Sequence, residues 1–101
     1  MRTLADVAAG QYYRHHKGEF YCVRAVATSA ETGETVIVYS KAIHPDRTWY
    51  HRPRDFLQLL PDGRERFALC DVMEVLRTVD PKLLEGLYFV NANELGENGR
   101  R

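Results

Sequence analysis

Tyr12-Tyr13-Arg14-His15-His16-Lys17-Gly18 is the stretch on which the fold turns. Its first six positions hold two aromatics, two cations and two imidazoles, and a glycine suited to a turn follows. A polar, aromatic-rich segment directly ahead of an apolar run reads as a short strand, residues 12–16, with Lys17 and Gly18 as the turn. The next segment, residues 19–28, alternates Tyr21, Val23, Ala25 and Ala27 on one face with Phe20, Cys22, Arg24 and Val26 on the other. It is expected to be buried on much of both sides.

Outward from this hairpin the pattern continues. Thr3 and Asp6 form a weak capping box, and Gly10 ends the helical turn they start. Residues 29–34 are turn material, with Gly33 able to supply a positive φ. Residues 35–43, rich in β-branched side chains, are a strong strand and the hairpin partner of 19–28. Residues 47–52 make a fourth strand carrying Trp49 and Tyr50, which Pro53 stops or confines to an edge. Residues 56–60 and 64–69 flank the turn Pro61-Asp62-Gly63 as a last hairpin.

The character changes at Asp71. Val72, Val75, Leu76 and Val79 recur at helical spacing behind a cap of Asp71 and Glu74. Asp80 and Pro81 open a second helix, with Leu83, Leu84 and Leu87 as its apolar face. Gly86 either lies within that helix or ends it and frees residues 87–90 for a short strand.

Strands first and helices afterwards predict a mainly β protein with C-terminal helices. The expected form is a small β-barrel of about five to six strands over residues 1–70, with one or two short helices over 71–95. Residues 96–101 are expected to be a disordered tail. The leucine and valine faces of the helices either cover the open end of the barrel or join two copies, giving a monomer or a homodimer.

At 101 residues and 45% apolar content, one domain with a modest core is affordable. The chain carries no net charge, but residues 1–54 hold a net +3 and all four histidines, and residues 55–101 hold −3. That asymmetry is too weak to imply a polyanion partner by itself. Cys22 and Cys70 lie on apolar stretches and read as buried thiols of a reducing cytoplasm. No run reaches the roughly 18 apolar residues of a membrane helix, and no signal peptide is evident. The expectation is a soluble cytoplasmic protein without a membrane partner.

Tyr13-Arg14-His15 with Lys17-Gly18, then Tyr21 and Val23, Ala27, Glu31-Thr32, Val36, Val38 and Tyr39, and finally Arg52-Pro53 with Phe56, resemble DUF1653. That is a family of small bacterial proteins of unknown function. The resemblance spans residues 11 to about 69 and implies an SH3-like β-barrel, with no activity to carry over. The chain departs from the family pattern at Ser29-Ala30, where a His-Ser pair is usual, and in the spacing before Phe56.

The candidate ligand-binding residues are Tyr13, Arg14, His15, Lys17, Glu31, Trp49, Tyr50 and Arg52, with Tyr12 and Arg54 beside them. In an SH3-like barrel the first and fourth strands can adjoin, so Arg14 and Arg52 are expected on one patch. Tyr, Trp and Arg dominate binding hot spots, which makes a protein or peptide the expected partner. The same side chains suit single-stranded nucleic acid, RNA included, where rings stack on bases and cations meet phosphates. Two readings need no ligand: Tyr13, Tyr21 and Trp49 as core aromatics, and a bidentate pair from Arg14 or Arg52 to Glu31 as a brace.

Chemistry is less supported. Adjacent His15 and His16 face opposite sides of a strand, and His44 and His51 bracket a turn without a helping acid or thiolate, so no metal is expected. Cys22 beside His15 or His16 is a weaker, enzymatic alternative. With no oxyanion loop, phosphate loop or paired carboxylates, the expectation is a non-catalytic module without cofactor.

Overall fold

The computed structural model describes residues 3–43 and 45–88. Among the described residues five antiparallel strands form one sheet: β1 (Tyr12–His15), β2 (Phe20–Thr28), β3 (Thr35–Lys41), β4 (Thr48–His51) and β5 (Phe67–Cys70). Their order is β4-β3-β2-β1-β5, an open sheet with β4 and β5 at its margins. The expected closed barrel is therefore not what forms. β1 pairs with β2 on one side and β5 on the other, while β4 pairs with β3. Two whole strands separate β1 from β4, which overturns the expectation that they adjoin.

The local reasons are in the sequence. Ser29 closes the β2–β3 turn: its Oγ accepts from the amides of Glu31 and Thr32, both at 3.3 Å. Gly33 takes φ +76° there, a conformation that disfavours side chains. In β2 the register slips between Val23 and Ala25, so Val23 faces Tyr39 and Ala25 already faces Val38. Arg24 is the extra residue of a β-bulge. Ala25 and Ala27 consequently leave the face of Tyr21 and Val23, contrary to the simple alternation.

Pro53 does more than stop a strand. Arg52 is extended (ψ 152°), as the residue before proline must be, and Pro53 occupies the first turn of the short helix α1 (Pro53–Phe56). The expected strand over 56–60 is thus replaced by a helix end and a loop, with one bridge between Leu59 and Glu65. The turn at 61–63 does form, with Leu60 donating to the carbonyl of Arg64 at 2.7 Å.

Each face of the sheet carries its own core. On the first, Tyr13, Val23, Ile37, Tyr39 and Phe67 meet Val7 and Phe56. Phe56 and Phe67 stack with centroids 4.4 Å apart, and Tyr13 meets Phe56 edge-on at 5.1 Å. On the second, Tyr12, Phe20 and Cys22 meet Val75, with Val72 and Val79 beside it. Val72 and Val75 belong to α2 (Val72–Thr78) and Val79 is its C-cap, while the N-cap Asp71 accepts from the Glu74 amide at 2.9 Å.

The helical segment thus covers a sheet face rather than a barrel mouth. The second predicted helix is a 3₁₀ helix, Pro81–Gly86, capped by Asp80. Beyond it, Leu87 bridges Ile43, and Tyr88 donates to the carbonyl of Ala42 at 2.7 Å. The rest of the predicted strand at 87–90 and the tail at 96–101 lie outside the described residues.

Candidate functional site

The sheet order disperses the expected patch. Tyr13 is 0% exposed, and its hydroxyl donates to Gln11 Oε1 at 2.9 Å, so it is a core residue. Arg14 lies over the Phe20 ring at 5.2 Å and pairs with Glu74 at 3.4 Å. Arg52 pairs with Asp55 at 3.3 Å. Neither makes the alternative brace to Glu31, which is exposed in the β2–β3 turn and lines a cleft together with Tyr50 and Arg52.

His15 and Lys17 stand at the β1–β2 turn, where the Lys17 amide donates to His15 Nδ1 at 3.2 Å. The rings of His15 and His16 approach to 4.3 Å rather than diverging, because β1 ends at His15. Cys22 belongs to the core of the second face and is fully buried, whereas His15 contacts Phe67 of the first. The pairing of Cys22 with His15, the weaker alternative, therefore does not form. Among the described residues no group of three or more His, Cys, Asp and Glu can hold a metal ion.

What remains together is β4. Thr48, Trp49 and Tyr50 are exposed and His51 is half-buried. Tyr50 is 69% and Trp49 37% exposed, unusual for large rings on a strand. Ladder parity tells where the backbone points. Ala42 donates to Phe20 at 3.0 Å, so even-numbered residues of β3 turn toward β2 and odd-numbered ones toward β4. Tyr39 and Ile37 are opposite Trp49 and His51, which spend their amides and carbonyls inward. Those of Thr48 and Tyr50 aim away from the sheet, and no further strand pairs with β4 among the described residues.

Two clefts flank this margin. One, of about 550 Å³, is lined by Phe20, Ile43, Arg47, Trp49, Val79 and Leu83. The other, of about 720 Å³, is lined by Glu31, Glu34, Val36, Val38, Tyr50 and Arg52. Trp49 lines the first and Tyr50, on the opposite face of the same strand, lines the second. Arg24 fixes the approach to the strand: its guanidinium donates to Thr48 Oγ1 at 2.8 Å and to the Pro45 carbonyl at 3.0 Å, and sits over the Tyr88 ring at 4.2 Å.

Behind Trp49 runs a row of rings that sequence reasoning did not assign to the site. Tyr39 stacks on His51 at 5.7 Å, and Tyr21 meets Trp49 at 6.2 Å. Burial pushes the Tyr21 hydroxyl up to about 12, helped by the Glu19 carboxylate that accepts a hydrogen bond from it at 3.2 Å. Burial and then the Arg66 guanidinium hold His51 below the ordinary imidazole value. Burial, followed by the neighbouring His16, Arg66 and Lys17, does the same for His15. The signal for His51 was present: it stands two residues from Trp49 and so shares its face.

A family model described as "Protein of unknown function (DUF1653)" matches residues 11–69. No curated protein and no solved structure matches the chain. No helix among the described residues is long and apolar enough to cross a membrane.

Proposed function

From the premise that the chain belongs to the DUF1653 family, whose description assigns no activity, we propose that it is a non-catalytic binding module that takes an extended peptide segment of another protein onto β4. The observation that carries this is the open margin of β4, with the backbone groups of Thr48 and Tyr50 aimed outward between two clefts. An added strand satisfies such groups through main-chain hydrogen bonds, and its alternate side chains then enter the flanking pockets. Trp49 and Tyr50 supply rigid contact area on the two faces at low entropy cost. Thiols such as those of Cys22 and Cys70 suit a reducing cytoplasm as the place where this happens.

The test is selection of short random peptides on immobilised protein, run in parallel on Tyr50→Pro and Tyr50→Ala. Proline at 50 removes an outward amide while leaving the β3–β4 ladder intact. Extended sequences should be enriched on the wild type, retained in part on Tyr50→Ala and lost on Tyr50→Pro. No enrichment on the wild type, or equal recovery on Tyr50→Pro, refutes strand addition.

A further inference from the structure

Only one end of the second sheet face is packed into its core. There Val72, Val75 and Val79 meet Tyr12, Phe20, Cys22 and Ala42. Farther along β3 the same face carries Val38 and Val36, since side chains two apart share a side. Ala25 and Ala27 are their partners in β2, and Tyr50 is opposite Val38 in β4. The valines and alanines are half-buried, and neither they nor Tyr50 belong to either buried core. They make an apolar floor with an exposed ring at its β4 side.

The cleft of about 720 Å³ lies on this floor: Val36, Val38 and Tyr50 line it together with Glu31, Glu34 and Arg52. Glu31 and Glu34 come from the exposed β2–β3 turn, and neither carboxylate has an ion pair among the described residues. Asp55, which also lines the cleft, is held by Arg52 at 3.3 Å. Arg54 borders Glu34 in an adjoining hollow, and setting it against Glu34 still leaves Glu31 without a cation. His51, held below the ordinary imidazole value by burial and by Arg66, adds none at neutral pH.

We propose, on the footing of strand addition at β4, that this cleft takes one lysine or arginine side chain of the added peptide. Its aliphatic stem lies on Val36 and Val38, and its cation lies by the Tyr50 ring and faces Glu31 and Glu34. A residue that exchanges both main-chain bonds with Tyr50 shares the face of Tyr50, so its side chain starts at the mouth of the cleft. Long cationic side chains cover apolar surface with the stem while the charged head stays near water and carboxylates, and a tyrosine ring attracts that head further. An apolar side chain would cover the floor but strip water from Glu31 without replacing it. An acidic one meets like charge. The residues on either side of the basic one point to the Trp49 face, so the preference is confined to one position and not shared by its neighbours.

The test selects a random-peptide library on the whole chain and aligns the recovered sequences. The wild type should enrich Lys or Arg at one position and not at the two positions beside it. A recovered peptide with that residue changed to glutamine should bind roughly fivefold more weakly by fluorescence anisotropy, the scale of one partly exposed charge pair. The double variant Glu31→Gln, Glu34→Gln should bind the two peptides alike. Both side chains are exposed and make no bond to the chain among the described residues, so the variant keeps the fold. Glu85→Gln, on the 3₁₀ helix Pro81–Gly86, removes a carboxylate elsewhere and should leave the fivefold ratio intact. Extended peptides recovered without a basic position overturn the preference while strand addition stands. A preference that survives in the double variant, or falls equally in Glu85→Gln, belongs to the overall charge of the chain and overturns it as well. Recovery of no extended peptide removes both readings together.

Discussion

Tyr12-Tyr13 and Trp49-Tyr50 are aromatic pairs of almost the same chemistry, each on a four-residue strand beside a cation, yet they meet opposite fates. The first pair is buried on both faces; the second is exposed on both. The difference lies in strand order. β1 has a neighbour on each side and a core above and below, whereas among the described residues β4 has one neighbour and an open margin. Residue type alone therefore does not distinguish a hot spot from a core: the number of paired neighbours does.

The comparison breaks first at Tyr13. Tyr13→Ala removes a fully buried ring that contacts Phe56 and should cost about 3–5 kcal/mol, readable as a large fall in the urea midpoint. A loss as small as that of a surface change would show that β1 is not central.

Val75→Ala comes next. Val75 is fully buried against Tyr12, Phe20 and Cys22, and its truncation should cost about 2 kcal/mol within a single unfolding transition. Separate transitions for α2 and the sheet would instead make residues 71–95 an appendage.

Acidification has a smaller effect of defined sign. His15 and His51 bind protons less readily in the folded chain than an ordinary imidazole does. Their contribution to stability is present above the unfolded value of 6.5 and is lost as pH falls through their lowered folded values. The groups that face them are His16, Arg66, Lys17 and Glu19 around His15, and Arg66 and Asp55 around His51. The urea midpoint should fall between about pH 7.5 and about pH 5.5, and the double variant His15→Gln, His51→Gln should flatten the dependence.

The smallest expected change is at Tyr50. Tyr50→Ala should alter stability by no more than about 0.5 kcal/mol, since most of its surface already meets water. A cost near that of Tyr13 would place Tyr50 in an interface rather than on a free margin.

Much of this molecule was legible locally. The strands β2 and β3, the Ser29–Gly33 turn and the caps Asp71 and Asp80 follow from neighbouring residues, because turn chemistry and helical capping act over three or four positions. What escaped is non-local or too short to show a period. The pairing of Tyr12 with Cys70 joins residues far apart in the chain, and nothing near either one specifies it. The bulge at Arg24 moves Ala25 and Ala27 to the other face without any local signal. α1 has only four residues, too few for a helical repeat, although its Phe56 stands at the centre of the first core.

The candidate site followed the same division. Trp49 and Tyr50 stand exposed on β4, while their grouping with Arg14 required a strand order that the pattern does not encode. His51 and Tyr39 lay in plain view but acquire meaning only once Trp49 and Tyr39 are known to be opposite each other.

The pairing of β1 with β5 has one more consequence. The family segment starts at residue 11 and stops at 69, and Tyr13 is opposite Leu69 in that ladder. Entry and exit of the segment are therefore adjacent, the arrangement that lets a unit be spliced into a surface loop of an unrelated host without stretching the host's backbone.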